Sequence, residues 1–409
     1  MISKDDGEEK TVLKLISLKD ALELIRGAFS EYFPRVEEVK VEDAAGRVSA
    51  DDVYSAVNVP AYPVAAVDGY SVASVDLEAA SVAHPVRLRE VGGGLGRLSR
   101  GEAVYVNTGS WIPDGADAVV KRENARRVGG YVEIVRRVPR GKNIMPAGEV
   151  VRVGDKIVGK GRRIRPEEVA MLMEVGIERV AVYRRCRVAL IAVGDELYEG
   201  YQERGVRAIN YAYIAARKIE AMGGEVSMID VSPDDPVTLE EKLGDAAQKC
   251  EAVFTLGGCS VGENDIVPKV VVSMPGASIL FHGIRCMPAK PSGFAMLGAR
   301  PILMLPGHVV SMTAALYLLG RPLLNILQGL VEPEDVVVFA SCGDSVAARP
   351  GMGQLVFVRI EKAGNGYVAH PFGWGTNSLR SIAWTDGFIM LEEGRGVERG
   401  QVVPVHLIR

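Results

Sequence analysis

One stretch in the second half of the chain, residues 252–265, constrains fold and function more than any other. It begins with the apolar run Ala252-Val-Phe-Thr-Leu256, which is typical of a buried strand, and continues as Gly257-Gly-Cys-Ser-Val-Gly262. The glycines permit a sharp turn with outward-facing amide N–H groups, and two carboxylates, Glu263 and Asp265, follow directly. Such a loop at the end of a strand is where open α/β sheets bind anionic ligands, and its carboxylate suits Mg²⁺. The same pattern is also typical of a plain strand-to-helix turn without a ligand.

The surrounding region predicts a parallel sheet covered by helices, because apolar runs alternate with helical patterns from residue 187 onwards. The predicted strands cover residues 188–193, 225–231, 252–256, 279–284 and 302–305, and the predicted helices cover about 210–222, 236–249, 264–273 and 308–328. Three of these strands lead into unusual loops: Gly194-Asp-Glu-Leu197, the glycine loop after Leu256, and Pro306-Gly-His-Val-Val-Ser311. Carboxyl ends of parallel strands meet at one edge, so we expect one site with amides, hydroxyls, a helix N-terminus and carboxylates. This combination suits a phosphorylated or nucleotide-like ligand with a divalent cation.

The rest of the chain predicts additional domains. Ser17 and Asp20 indicate a capped helix that ends near Gly27, and Pro166 opens a second helix that ends before Gly176. Short β-rich runs fill residues 51–138 and 332–409. We therefore predict a multidomain α/β plus β fold. Its parts are a helical and extended stalk (residues 1–53 and 146–184), an inserted β module (54–145), a parallel-sheet α/β domain (185–329) and a C-terminal β-barrel-like domain (330–409).

Charge and composition exclude several functional classes. The net charge of −4 argues against a general nucleic-acid-binding protein. The five cysteines form no C-x-x-C pair, which argues against a structural zinc site or a disulfide framework. The N-terminus lacks the apolar segment of a signal peptide, and the most apolar window, residues 302–319, is interrupted by Pro306, Gly307 and His308. We expect a cytoplasmic protein that does not bind membranes.

A set of motifs that occur in order resembles a known family. They are Val67-Asp-Gly-Tyr70, Asn107-Thr-Gly-Ser110, Gly194-Asp-Glu-Leu197, the glycine loop with Asp265, Pro288-Ala-Lys-Pro291 and Leu305-Pro-Gly-His-Val-Val-Ser311. Together they resemble the molybdopterin molybdenumtransferase family, which includes MoeA and the gephyrin E domain, from about residue 15 to the C-terminus. The resemblance implies an elongated four-domain homodimer whose active site is shared between the α/β domain of one subunit and the β module of the other. It also implies insertion of molybdate, or tungstate, into adenylated molybdopterin with Mg²⁺ and release of AMP.

The resemblance also assigns roles to residues. It implies catalytic roles for Asp68, Thr108, Glu196, Asp265 and Lys290, with Glu196 and Asp265 as the Mg²⁺ ligands. A further carboxylate of the family matches Asp234 or Asp235. The expected substrate-binding residues are Gly194, Asp195, Asp235, Gly257, Gly258, Ser260, Val261, Gly262, Pro306, Gly307, His308, Ser311, Arg380 and Ser381. Each of the acids also fits a turn or cap, Arg380 and Ser381 also fit a surface role, and Cys259 is expected to be a buried filler rather than a nucleophile.

Several positions depart from the family pattern. Val67 replaces Met, Met287-Pro-Ala-Lys290-Pro replaces Lys-Pro-Gly-Lys-Pro, His308 and Val309 replace Asn and Pro, and Asn143 replaces Asp. These changes are compatible with an altered oxyanion preference, another task or lost activity. A molybdopterin-binding or scaffold paralogue without catalysis is therefore the alternative hypothesis. A pterin adenylyltransferase is disfavoured, because it would leave the β module and the last domain unexplained.

Overall fold

The computed structural model describes residues 14–92, 96–205, 209–260, 265–331, 335–372 and 379–408. The chain forms two compact units. The first contains the described residues of Met1–Glu37, Gly161–Arg163 and Tyr183–Arg409, and the second contains those of Glu38–Lys160 and Ile164–Val182. The predicted division into four domains is finer than this and stays a prediction.

The α-helices are α1 (Leu18–Ala28), α2 (Pro166–Glu174), α3 (Asp195–Arg204), α4 (Asn210–Ala221), α5 (Pro236–Lys249), α6 (Val267–Ser273), α7 (Val309–Ala315), α8 (Arg321–Leu327) and α9 (Leu379–Ala383). The strands of the first half are β1 (Val36–Lys40), β2 (Val53–Tyr54), β3 (Val64–Ala65), β4 (Gly69–Val72), β5 (Val86–Val91), β6 (Glu102–Val106), β7 (Ala118–Lys121), β8 (Ala125–Val128), β9 (Tyr131–Ile134), β10 (Ile144–Met145), β11 (Lys156–Val158) and β12 (Arg179–Tyr183). Those of the second half are β13 (Arg187–Val193), β14 (Glu225–Ser232), β15 (Ala252–Leu256), β16 (Ala277–His282), β17 (Cys286–Met287), β18 (Gly293–Leu297), β19 (Arg300–Leu305), β20 (Val337–Cys342), β21 (Gly353–Ala363), β22 (Gly366–Pro371), β23 (Gly387–Leu391) and β24 (Val402–Leu407).

The first unit contains a six-stranded sheet in the order β14-β13-β15-β19-β18-β16. The pairs β14–β13, β13–β15 and β15–β19 are parallel, as the alternating pattern predicts. The sheet is not parallel throughout: at the other edge, β18 pairs antiparallel with both β19 and β16, a feature that the alternating pattern does not predict. The reason is local: Gly298 and Ala299 form a two-residue turn between β18 and β19, and so short a connection joins only antiparallel strands.

Both faces of this sheet are buried, which explains the nearly continuous apolar runs. In β13, Val188, Leu190 and Ala192 pack in one core with α1, α4 and α7. The alternate residues Ala189 and Ile191 pack in a second core with α5 and α6. Side chains of a strand alternate between faces, so a strand covered on both sides is apolar at every position.

The C-terminal part of the first unit is a small barrel, as predicted. Its strands follow the order β21-β22-β20-β24-β23, and β23 pairs again with β21, which closes the ring. The barrel has its own core, which includes Val356, Val358, Ile389 and Val405. Closure removes exposed strand edges, so the module needs no neighbouring sheet to satisfy its backbone.

The second unit contains the six-stranded sheet β7-β4-β6-β5-β9-β8. Its apolar core includes Val72, Leu88, Val120 and Val132. The helix predicted before Gly176 is α2, which begins at Pro166 and has the carboxylate of Glu168 on the N-cap backbone. The β-rich segment and the helix that the sequence predicts are therefore both present in this unit.

One helical segment, Val309–Leu327, is long and apolar enough to cross a membrane by length and composition alone. It consists of α7, a π-helical turn (Leu316–Gly320) and α8. Because 72% of its most apolar window is buried inside the protein, we interpret it as a core helix. This agrees with the expected strand, turn and core helix.

Candidate active site

The ends of β13, β15 and β19 meet at one edge of the α/β sheet. Gly257 shows how closely they approach: a Cβ added there would lie 2.6 Å from the carbonyl oxygen of Val193 and 4.0 Å from the Cα of Gly307. The Gly257 amide donates to the carbonyl of Leu305 at 3.0 Å, and its φ of 92° is strained for any L-residue. Only glycine therefore fits between the other two strand ends.

A cavity of about 680 Å³ opens at this edge. Ten of the predicted site residues line it: Gly194, Glu196, Gly257, Gly258, Ser260, Asp265, Pro306, Gly307, His308 and Ser311. The expected Val261 and Gly262 lie outside the described residues. The cavity is large enough for a nucleotide-sized ligand.

Two helices present their first turns to the cavity. Gly194 is the N-cap of α3, and Glu196 in the first turn of that helix lines the cavity wall. Asn210 and Tyr211, the first residues of α4, line it as well. The N-terminus of a helix carries a partial positive charge, so the start of α4 favours an anionic ligand, whereas at the start of α3 the Asp195 amide already donates to Asp234. The prediction that residues 194–197 form a loop is wrong, because a helix begins directly after Gly194.

Four carboxylates interact beside the cavity. Asp195 and Asp234 bind each other's backbone: the Asp234 amide donates to Asp195 Oδ1 at 2.9 Å, and the Asp195 amide donates to Asp234 Oδ2 at 3.4 Å. Burial raises the pKa of Asp234, and the charges of Asp195, Glu196 and Asp265 raise it further against the lowering effect of the Asp195 amide. The site is thus crowded with like charges that a bound cation would relieve.

The carboxylates that line the cavity are better suited to a magnesium ion than to a metal held entirely by protein side chains. Among the described residues, no three His, Cys, Asp or Glu side chains are grouped as a ready metal cage. Mg²⁺ usually takes one or two carboxylates together with substrate phosphates and waters, so the residues that would hold it are Glu196 and Asp265, which both line the cavity.

The glycine loop uses part of its backbone internally. The Ser260 amide donates to Asp265 Oδ1 at 2.8 Å, and the Gly257 amide donates to the carbonyl oxygen of Leu305. The expectation of outward-facing amides is therefore wrong for these two positions. Cys259 is buried, and burial, with the charge of Asp265, raises the pKa of its thiol to about 12. The thiol stays neutral near pH 7, which agrees with a buried filler.

Five predicted residues of the first unit do not line the cavity, among them Asp195, whose contacts with Asp234 are described above. Lys290 is exposed, although its neighbour Pro291 contributes to the wall. Asp235 is the N-cap of α5, and its Oδ2 accepts from the amide and the hydroxyl of Thr238 at 2.8 and 2.6 Å. In α9, Ser381 is buried, and the Arg380 guanidinium lies 4.2 Å from the centre of the Trp384 ring. Of the pair Asp234 and Asp235, the structure thus brings Asp234 to the cavity.

Asp68 and Thr108 lie together in the second unit. Asp68 precedes β4, Thr108 follows β6, and the two strands pair antiparallel through Gly69 and Val106. Asp68 Oδ1 accepts from the Thr108 amide at 2.7 Å and from its hydroxyl at 2.9 Å. These two bonds, with a smaller effect of Arg122, hold the pKa of the exposed Asp68 carboxyl below its ordinary value. The Asp68 carboxylate is therefore ionised at physiological pH, and its two hydrogen bonds from Thr108 fix its orientation.

Asn143 has a structural explanation in the same unit. Its φ of 58° lies in the left-handed region, which Asn adopts more readily than most residues. Its side-chain amide donates to the Val119 carbonyl at 2.7 Å, which an ionised Asp could not do. The departure from Asp at this position therefore preserves a local turn.

The sequence pattern indicated no site role for several wall residues, among them Asn210, Tyr211 and Pro291. Asn210 was visible as the start of a helical pattern, but nothing in the pattern indicated that this helix begins at the cavity. Pro291 follows Lys290 in the motif Pro288-Ala-Lys-Pro291, and a proline carries no side-chain donor or charge that would indicate a site.

The chain is similar to known proteins along nearly its whole length. Residues 16–176 match the MoeA N-terminal region (domain I and II), residues 189–326 match the "Probable molybdopterin binding domain", and residues 340–408 match the MoeA C-terminal region (domain IV). Molybdopterin molybdenumtransferases of Haemophilus influenzae and Bacillus subtilis are each 29% identical; the matches cover 91% of this chain and 94% and 90% of those proteins. A solved molybdopterin biosynthesis MoeA protein of Pyrococcus horikoshii is 30% identical, with a TM-score of 0.77 over 97% of this chain and 100% of that one. The chain belongs to the MoeA family.

Proposed function

We propose that this protein is a molybdopterin molybdenumtransferase of molybdenum cofactor biosynthesis. It would insert molybdate, or tungstate, into adenylated molybdopterin and release AMP. The observation that carries the proposal is the acid-lined cavity where β13, β15 and β19 end, in a chain that matches the family from residue 16 to residue 408. The relatives that bear this enzyme's name cover nine tenths of the chain, so the proposal concerns the whole protein.

The residues of the cavity have distinct roles in this proposal. The first turn of α4, with the hydroxyl of Ser311, would bind the phosphate groups of the ligand. Glu196 and Asp265 would hold Mg²⁺, which offsets the charge of the converging anions and polarises a phosphoryl oxygen. His308 is exposed and lines the cavity, and it would contact the oxyanion in place of the family's usual Asn.

The Asp68–Thr108 pair would complete the site from a second copy of the chain. The pair is exposed in its own unit, and the carboxylate is ionised and fixed by two hydrogen bonds. Such a group is suited to contact a ligand that it does not enclose by itself. A homodimer with a shared site is therefore part of the proposal.

The alternative function is a non-catalytic molybdopterin-binding or scaffold protein of the same fold. Two observations favour keeping it: Lys290 does not line the cavity, and Met287 stands where the family has a second lysine. Fewer cations near the oxyanion would weaken its binding.

The decisive experiment measures AMP release from adenylated molybdopterin with Mg²⁺ and either molybdate or tungstate. Asp265→Asn should lower Mg²⁺-dependent AMP release by about a hundredfold or more, as expected for loss of a charged ligand. The fold should survive, because Asn also presents an Oδ1 to the Ser260 amide. Asp245→Asn, which removes an exposed carboxylate paired with Lys249 on α5, is the matched control and should keep wild-type activity.

Two results would contradict the proposal. Unchanged AMP release by Asp265→Asn would remove this carboxylate from the metal site. No turnover with either oxyanion, despite tight binding of the adenylated pterin, would favour the scaffold function.

The shared site has its own test. Mixing an Asp68→Ala protein with an Asp265→Asn protein, each inactive alone, should restore part of the activity, because one site of each heterodimer is then intact. Mixtures as inactive as their components would refute a shared site.

A further inference from the structure

The peptide group between Cys259 and Ser260 is held by a side chain on each side. Its carbonyl oxygen lies 2.6 Å from His282 Nε2, and its N–H donates to Asp265 Oδ1 at 2.8 Å. A peptide group is planar and rigid, so its two polar ends turn together. The imidazole of His282 and the carboxylate of Asp265 are therefore linked through one rigid body.

The direction of the first hydrogen bond determines the tautomer of His282. A carbonyl oxygen only accepts hydrogen bonds, so Nε2 of His282 carries the proton and donates it. His282 is the last residue of β16 and lies opposite Gly293 of β18. A Cβ on Gly293 would lie 2.5 Å from Met304 Cε, 3.2 Å from the Phe281 carbonyl oxygen and 3.3 Å from His282 Cδ2, so the space beside the ring is closely packed.

Other contacts already fix the core side of the loop. The Cys259 thiol is buried, and the Gly258 carbonyl accepts from the Val267 amide at 3.0 Å. What His282 adds is the orientation of the next peptide group, and with it the direction of the Ser260 N–H. A donor at the carbonyl also polarises the peptide, which strengthens the N–H bond to Asp265.

We propose that His282 is a positioning residue: through the Cys259–Ser260 peptide it orients the Asp265 carboxylate at the cavity. The role rests on the proposed function insofar as Asp265 binds Mg²⁺ there. His282 itself does not line the cavity, so its effect reaches the ligand only through Asp265.

The test compares two amide side chains of different reach. His282→Gln places an N–H near the position of Nε2, whereas the shorter His282→Asn does not reach the Cys259 carbonyl. We expect the exchange rate of the Ser260 amide to rise about tenfold in the Asn variant and to stay within about twofold of wild type in the Gln variant, in line with the loss of one hydrogen bond. Mg²⁺-dependent binding of AMP, measured by calorimetry, should weaken about three- to tenfold in the Asn variant only.

Two further variants control the comparison. His84→Asn makes the same change at an exposed histidine of the second unit and should leave both measurements unchanged. His282→Phe keeps a ring in the space beside Gly293 but has no donor, so it should behave like the Asn variant even if Asn destabilises the fold.

Equal exchange rates for Ser260 in wild type and in the Asn and Phe variants would overturn the proposal. So would equal defects in the Gln and Asn variants, since the role would then be general packing. A wild-type protein that releases no AMP would refute the proposed function instead, and the exchange comparison would still decide the role of His282.

Discussion

Gly257→Ala tests directly whether the ends of β13, β15 and β19 approach one another as closely as the structure shows. The φ of 92° costs an L-residue about 1–2 kcal/mol. The new Cβ would lie 2.6 Å from the Val193 carbonyl oxygen, a backbone atom that cannot move without shifting the start of α3. Overpacking of this kind costs about 1–3 kcal/mol, so we expect a total destabilisation of about 2–5 kcal/mol.

The control for this substitution is Gly276→Ala. Gly276 has a similar φ of 78°, but nothing lies within 4 Å of its added Cβ, so only the backbone cost of about 1–2 kcal/mol applies. The urea dependence of hydrogen exchange in peptides from β13 and β15 gives the free energy of unfolding of these strands in both variants. Both glycines belong to the first unit, so the two values can be compared directly. If the two substitutions destabilise these strands equally, the inferred close approach of the β13, β15 and β19 ends is refuted.

Three other predictions follow from individual contacts. Gly244→Ala, inside α5 with open space around its Cβ, should stabilise the first unit by about 0.5–1 kcal/mol, and a lower urea midpoint would contradict this. Thr108→Val removes the hydroxyl bond to Asp68 and should raise the pKa of that carboxyl towards its ordinary value. Because the folded-state pKa is depressed, the stabilisation by this pair is present above the unfolded-state pKa and is lost as the pH falls through the folded-state pKa. Carboxyl ¹³C titration by NMR measures the shift, and an unchanged midpoint would show that the hydroxyl does not matter. Asp234→Asn should weaken Mg²⁺-dependent AMP binding more than Asp235→Asn does, because only Asp234 lines the cavity; the reverse order would return Asp235 to the site.

Periodicity predicted the parts of the fold in which one local pattern decides the structure. Residues 188–193 of β13 are buried on both faces, and Pro166 and Gly176 bracket α2, so the sequence pattern predicts both elements. The helix α3 was missed because it is polar and opens with Asp195 and Glu196, which also suit a loop. The antiparallel edge was missed because a two-residue turn around Gly298 outweighs the regular alternation of strands and helices.

The choice between Asp234 and Asp235 shows what the sequence cannot decide about the site. The two are adjacent, and only the Asp235 side chain faces Thr238, three residues along α5, where it caps the helix. Asp234 is left to face Asp195 across the parallel pair β13 and β14, a contact between residues 39 positions apart. That contact depends on strand order, which no local pattern encodes.

The electrostatics of these acids also argue for a ligand. Burial and three neighbouring carboxylates raise the pKa of Asp234, so the ionised acids oppose one another when no cation is bound. This repulsion opposes folding, although Asp195, Asp234 and Asp265 each accept a backbone N–H bond that stabilises the fold locally. Binding a divalent cation would reverse the sign of the interaction, because each carboxylate would then face a positive charge. Like-charge crowding beside this cavity therefore supports the proposed complex of a cation with an anionic substrate.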